Sequence, residues 1–269
     1  MSFTRRLALV AATAAAAFLP LAAPASAQST LKASLHSDLK IIDPIWTTAL
    51  ITQYHGYLVY DTLFALDDKL QVKPQMVDSW TMSDDKLTWT FTLRDGMTWH
   101  DGAPVTAADC VASLKRWGKA DGMGQKLMDF TASLEATDAK TITLKLKEPY
   151  GLVLESIGKP SSLVPFMMPK RIAETPAGKA IPEQIGSGPF KFVQADFQPG
   201  VKAVYEKNKD YVPRSEPVSG NAGGKVAQLD RIEWSFITDP STAMAALQTG
   251  QQDYWPQPLP DLVPLLQAD

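Results

Sequence analysis

SDDKLTWTFTLRDGMTWHDGAPVTAADCVASLKRW, residues 83–117, is the stretch that decides the fold. In its first part Leu87, Trp89, Phe91 and Leu93 alternate with threonines. A period of two puts the large apolar side chains on one face and the hydroxyls on the other, which predicts a half-buried strand. Acid-Gly pairs after the strand are turn signals.

The second part of the stretch predicts a helix. Thr106 suits the N-cap position, and Asp109 three residues later approximates a capping box. From Cys110 to Trp117 the apolar residues recur at helical spacing, so we expect a buried stripe. We expect Gly118 to end this helix.

Outside this stretch the same patterns recur. Alternating apolar residues predict further strands near residues 31–35, 142–146, 190–193, 202–205 and 232–236, and apolar spacing predicts a helix near residues 50–58. Asp239 with Pro240 predicts another helix start. Residues 213–228 form a long Pro-, Gly- and Ser-rich loop.

Composition indicates an ordinary globular protein. The chain has 269 residues, 45% of them hydrophobic and 20% charged, which is enough for one or two domains. The formal net charge is −3 and no basic patch is visible, so we expect no nucleic-acid partner. We also expect a monomer.

The N-terminus predicts export. Arg5-Arg6 precedes an apolar, Ala-rich run, and Ala25-Ser26-Ala27 is a cleavage signal, so residues 1–27 are interpreted as a signal peptide. An N-terminal membrane anchor is the weaker alternative, because the run is short and interrupted by prolines. No cysteine stands at the cleavage site for a lipid anchor. We expect a periplasmic protein, with the Sec and twin-arginine routes both open.

Few residues suggest catalysis. The chain contains one cysteine, Cys110, which we expect to be buried, and three histidines, His36, His55 and His100. The G-x-S-x-G and H-E-x-x-H motifs of hydrolases and metalloproteases are absent. We therefore expect no enzyme, no cofactor and no metal site. A secreted hydrolase remains an alternative.

Several motifs carry a resemblance to a known family. W-H-D-G-x-P-x-T-A-x-D at residues 99–109 resembles the signature of the family 5 solute-binding proteins, the dipeptide- and oligopeptide-binding proteins of bacterial ABC importers. KPQMVDSW at 73–80, G-S-G-P at 186–189, N-K-D-Y at 208–211 and QQDYWP at 251–256 are similar to other elements of that family, the last to one of its strands.

The resemblance implies a mixed α/β fold of the type II periplasmic binding protein class. Residues 28–62 would begin lobe I, 63–180 would form the inserted subdomain of family 5, 181–256 would return to lobe I, and 257–269 would start the crossover. The family continues into a second lobe that is expected to be missing here, so the chain is interpreted as a fragment or a truncated gene.

The resemblance also implies a ligand site and partners. The ligand-binding candidates are Trp46, Thr47, Thr48, Gly186, Ser187, Gly188 and Trp255. Trp46 could equally be a core residue at a helix start. The family implies a small-molecule or, by preference, a peptide ligand, and delivery to the permease subunits of an ABC transporter. A lone lobe with a chaperone-like or signalling role is a further alternative.

Overall fold

The computed structural model describes residues 29–176 and 178–268. The predicted signal peptide, residues 1–27, lies outside the described residues. Within them the strands are β1 (Thr30–Ser34), β2 (Asp61–Thr62), β3 (Phe64–Leu66), β4 (Val72–Pro74), β5 (Val77–Met82), β6 (Thr88–Leu93), β7 (Thr131–Ala136), β8 (Thr141–Leu146), β9 (Phe166–Met167), β10 (Phe190–Phe192), β11 (Lys202–Lys207) and β12 (Arg231–Ser235). The α-helices are α1 (Leu50–Val59), α2 (Ala107–Ala120), α3 (Gly122–Phe130), α4 (Val153–Ile157), α5 (Lys170–Ala173), α6 (Pro240–Gln248) and α7 (Val263–Gln267).

Two four-stranded sheets organise the described residues. The first has the order β1-β12-β11-β10, with β1 parallel to β12 and the other pairs antiparallel. The second is the antiparallel sheet β5-β6-β8-β7. Two small two-stranded sheets, β2-β9 and β3-β4, complete the set.

The opening stretch folds largely as its pattern predicts. In β6 the side chains of Trp89, Phe91 and Leu93 are buried, which confirms the period of two. Thr106 caps α2 and forms a complete capping box with Asp109. Cys110 is buried in the stripe of α2, and burial raises the pKa of its thiol well above the usual range.

The expectation that Gly118 ends this helix is wrong. Helix α2 continues to Ala120, and Gly118 lies inside it. A Cβ at Gly118 would stand 2.6 Å from the Met128 side chain of α3, so glycine allows the two helices to pack closely here without displacing Met128. The break comes at Asp121, whose carboxylate accepts hydrogen bonds from the first backbone amides of α3.

Other predictions have mixed outcomes. Asp239 caps α6 with Pro240 in its first turn, as predicted. The strand expected at residues 251–256 is wrong as a strand: only Tyr254 pairs there, in a single parallel bridge to Ala33. The long loop at 213–228 is held by Arg214, which donates to the backbone oxygens of Gln75 and Val77.

The described residues contain two hydrophobic cores, one packed against each four-stranded sheet. One is built mainly from residues 63–167 and packs under the second sheet. The other combines residues 33–60, 164–181 and 190–234 and packs against the first sheet. Ile185 packs against both cores and joins them. The boundaries predicted from the family pattern, after residues 62 and 180, stay predictions.

Candidate functional site

Three parallel segments of the first sheet have their carboxyl ends on the same side of the sheet, which we call the carboxyl edge. β1 and β12 run parallel, and Tyr254 runs parallel to β1 on its other side, where the Ser34 amide donates to the Tyr254 oxygen at 2.9 Å. Because these segments share a direction, His36 after β1 and Trp255 after the bridge are carried to the same edge. In open α/β sheets, ligands bind outside the carboxyl ends of the strands.

An aromatic contact at this edge was not predicted from the sequence. The rings of His36 and Tyr54 meet edge to face, with centroids 5.8 Å apart. His36 Nδ1 is buried and has no hydrogen-bond partner among the described residues. A buried polar atom without a partner is costly, so an internal water molecule is the partner that this nitrogen would take. The position of His36 directly after a predicted strand is the signal that could have identified it.

The loop between β1 and α1 is fixed by one buried carboxylate. Asp43 accepts from Arg116 at both oxygens, at 3.1 and 2.7 Å. The backbone amides of Ile45 and Ile181 donate to the same carboxylate at 3.1 and 3.2 Å. The Asp43 side chain is almost fully buried, and the bidentate geometry ties the loop to α2. Trp46 is therefore presented from a rigid turn.

The three loop candidates have different environments. Trp46 is 46% exposed, so the alternative that it is only a core residue does not describe its side chain. Thr47 is half-buried, and its Oγ1 accepts from the Ala49 amide at 3.2 Å just before α1. Thr48 is exposed. Trp255 is half-buried. Their role in binding a ligand stays a prediction.

Exposed apolar side chains concentrate in two segments of this region. The first segment precedes and begins α1, and the second follows the Tyr254 bridge. The exposed members are Ile41, Trp46, Leu50, Tyr54, Tyr254, Leu259 and Leu265. We call this set, together with His36 and Trp255, the aromatic face. Exposed large apolar side chains that cluster in two chain segments favour an interaction site in these segments.

The predicted Gly186–Gly188 loop lies elsewhere. A Cβ at Gly186 would stand 2.0 Å from the Val59 oxygen, at the end of α1 opposite to Trp46. Ser187 is buried, and the Gly188 amide donates to Val59. A ten-residue helix is about 15 Å long, so the structure does not bring this loop together with Trp46. Direct ligand contact by Gly186, Ser187 and Gly188 stays a prediction.

His100 of the signature motif holds this loop in place. Its Nε2 donates to the Gly188 oxygen at 3.1 Å, and its Nδ1 accepts from the Gly186 amide at 3.3 Å. Burial lowers the pKa of His100 to about 4, so the imidazole is neutral at ordinary pH. Both ring nitrogens are used by the backbone, which leaves neither for a hydrolytic role.

A second histidine, His55 of α1, is fully buried and hydrogen-bonded within the core. His55 Nε2 donates to Gln184 Oε1 at 3.2 Å, and the Tyr205 hydroxyl donates to Nδ1 at 3.0 Å. The Tyr60 hydroxyl also donates to Gln184 Oε1, at 2.9 Å. Burial lowers the pKa of His55 to about 4. This network ties α1 to β11 and so fixes the helix that carries Tyr54.

Neither a metal-ligating cluster nor a membrane-spanning helix is found among the described residues. Within residues 29–176 and 178–268 no group of three or more His, Cys, Asp or Glu side chains is arranged to hold a metal ion. In the same ranges no helix is both long and apolar enough to cross a bilayer.

Sequence comparisons agree with the resemblance. The family model described as "Bacterial extracellular solute-binding proteins, family 5 Middle" matches residues 71–269. The chain is 43% identical over 272 residues to a "Probable peptide ABC transporter periplasmic-binding protein" of Sinorhizobium fredii, covering 99% of this chain and 50% of that protein. It is 30% identical to the glutathione-binding protein GsiB of Salmonella typhimurium, covering 86% and 43%. The chain thus spans about half the length of the curated relatives it matches.

In the structural comparisons, too, this chain matches a little under half of each neighbour's length. The periplasmic binding protein DppA from Helicobacter pylori, in complex with the peptide STSA, matches with a TM-score of 0.72 and 25% identity, over 90% of this chain and 49% of that one. NikZ from Campylobacter jejuni, in complex with Ni(L-His), matches with a TM-score of 0.68 and 23% identity, over 89% and 45%. These likenesses confirm the predicted α/β fold of the type II periplasmic binding proteins.

Proposed function

Because this chain belongs to family 5 of the bacterial extracellular solute-binding proteins, we propose that it binds a peptide on its aromatic face and delivers it to the permease subunits of an ABC importer. It acts as a binding protein and returns its ligand unchanged. It works in the periplasm, which agrees with the export signal predicted for residues 1–27.

The observation that carries this proposal is the aromatic face itself. Two of its members, His36 and Trp255, follow β1 and its parallel neighbour Tyr254, at strand ends of the kind where ligands of open α/β sheets bind. Trp46 projects from a turn that the Asp43–Arg116 pair fixes, and Thr47 and Thr48 beside it offer accessible polar groups. Apolar walls with a few placed polar groups are typical of small-ligand sites.

A peptide is the preferred ligand for two reasons. The 43% identical relative is described as a peptide-binding protein, and GsiB is named for glutathione, itself a small peptide. Exposed aromatic side chains such as Trp46, Tyr54 and Tyr254 also suit peptides, since rings pack against side chains of many shapes at little entropic cost.

Delivery to a permease requires that the ligand-free protein and the ligand-bound protein differ in conformation. In the family a second lobe closes over the ligand, and ligand stabilises the closed form only by its differential affinity for that form. The aromatic face would supply one wall of the cleft, and the other wall would come from the second lobe. This chain spans about half the length of the curated relative, which agrees with its supplying one of the two walls.

The first experiment is native mass spectrometry of the protein purified from its own periplasm, followed by calorimetry with the retained solute. We expect a bound peptide, and we expect Trp46→Ala to weaken its binding about tenfold or more, as loss of a central aromatic anchor does. Trp80→Ala is the matched control, because Trp80 is 40% exposed but stacks on Trp89 in the second sheet. Equal binding by both variants, or a turned-over solute, would overturn the proposal.

A further inference from the structure

A groove with a volume of about 450 Å³ opens beside Trp46, between α2 and the segment that follows α5. Its floor is apolar, since Ile45, Ala112 and Ala173 line it and are buried. Trp46 stands at the rim and also borders a second, smaller pocket next to Asp43. The volume lies in the range of small-ligand sites.

The walls of this groove carry an excess of positive charge. Lys115 and Lys119 lie one turn apart on α2, and Lys179 lies on the facing segment. All three are exposed, and none forms an ion pair within residues 29–176 and 178–268. Glu174, the one carboxylate of the lining, faces Lys170 at 3.7 Å.

Arg116 also lines the groove, but its charge is neutralised by an ion pair with Asp43. It is bound at both guanidinium ends by the buried Asp43 carboxylate. The three lysines are therefore the free cations of the groove. Two lysines at i and i+4 repel each other, so this arrangement weakens α2 slightly unless an anion is bound between them. Long lysine stems can also cover apolar groups while the ammonium ends reach a carboxylate.

We propose that this groove binds acidic side chains of the solute, and hence that the solute is a peptide carrying carboxylates next to an apolar residue. This inference rests on the proposed function, because Trp46 belongs both to the aromatic face and to the rim of the groove. The apolar residue packs on Ile45 and the Trp46 ring. The carboxylates lie between Lys115, Lys119 and Lys179, where the charges are complementary.

Calorimetry on the full chain with two matched probes tests this inference. The probes are the tetrapeptide Ala-Glu-Glu-Leu and its uncharged isostere Ala-Gln-Gln-Leu. We expect the acidic peptide to bind about tenfold more tightly, since each exposed lysine contributes about two- to fivefold. The preference should shrink as salt rises from about 0.05 to about 0.5 M, because screening shortens the reach of each charge.

The variant is Lys115→Gln/Lys119→Gln/Lys179→Gln, and the control is Lys145→Gln, an exposed lysine on β8. We expect the triple variant to lose the preference for the acidic peptide and to keep its affinity for the isostere, with a melting temperature equal to or slightly above that of the unmodified chain. The control should behave as the unmodified chain does.

The outcomes separate this inference from the proposed function. Equal affinity for the two probes, or a triple variant that behaves as the control does, overturns the acidic groove and leaves peptide binding in place. Retention of a solute without carboxylates, with neither probe bound, also overturns the groove alone. Absence of any retained solute together with no binding of either probe overturns both.

Discussion

Replacing Arg116 with alanine should destabilise the protein by about 3–5 kcal/mol, because it leaves the Asp43 carboxylate buried without its counter-ion. The backbone amides of Ile45 and Ile181 would remain as its hydrogen-bond donors, which places the expected loss toward the lower end of that range. For a chain of this size, such a loss lowers the melting temperature by roughly 6–20 °C.

The assay is urea unfolding followed by circular dichroism, with Arg171→Ala as control. Arg171 also bridges two acids, Asp101 and Glu183, but its side chain is half exposed. Exposed pairs contribute about 0–1 kcal/mol, so the control should stay within that range.

A double-mutant cycle separates the pair from other effects of the truncation. We expect Arg116→Ala and Asp43→Ala to be coupled by about 2 kcal/mol or more, since the two side chains share a bidentate contact. Additive effects, or an Arg116→Ala loss no larger than the Arg171→Ala loss, would refute the idea that this pair fixes the loop carrying Trp46.

Two further predictions concern Gly186, which packs against the end of α1, and His55, which lies within α1. Gly186→Ala should destabilise the fold by about 3 kcal/mol or more in urea unfolding, because its Cβ would stand 2.0 Å from the Val59 oxygen, whereas Gly151→Ala, with open space around it, should change stability by under about 1 kcal/mol. The unfolding free energy should fall as pH drops from about 6.5 to about 4.5, because His55 and His100 stay neutral in the folded state, where the pKa of each is about 4, while the unfolded chain takes up both protons. At pH 7 this effect is nearly absent, and over that interval each histidine contributes about 2 kcal/mol, so a His55→Gln variant should lose its own share of the decline.

Local elements were predictable from the sequence because their signals are local. The alternation in β6, the Thr106 capping box and the Asp239 cap each depend on residues within a few positions of one another. Gly118 was misinterpreted because its role depends on Met128 of the next helix, which is a packing contact and not a helix signal.

The candidate site was predictable only in part. Trp46 and Trp255 came from the family resemblance, and the structure places Trp46 on an exposed turn and carries Trp255 to the carboxyl edge of β1. The Asp43–Arg116 pair joins positions 73 residues apart, and the three lysines of the groove meet only once α2 faces the segment after α5. Such long-range pairings have no periodic signal in a single sequence.

The pairing of β1 has a consequence for the order of folding. Thr30 finds its partner Arg231 about 200 residues later, and Ala33 meets Tyr254 later still. At about 5–20 residues per second, synthesis leaves the first strand waiting for about 10–40 s before either neighbour exists. The second sheet, whose strands span residues 77–146, can form well before that. The edge formed by β1 and its two neighbours is thus assembled after the second sheet, so this part of the binding surface cannot form before residues 231–254 have been made.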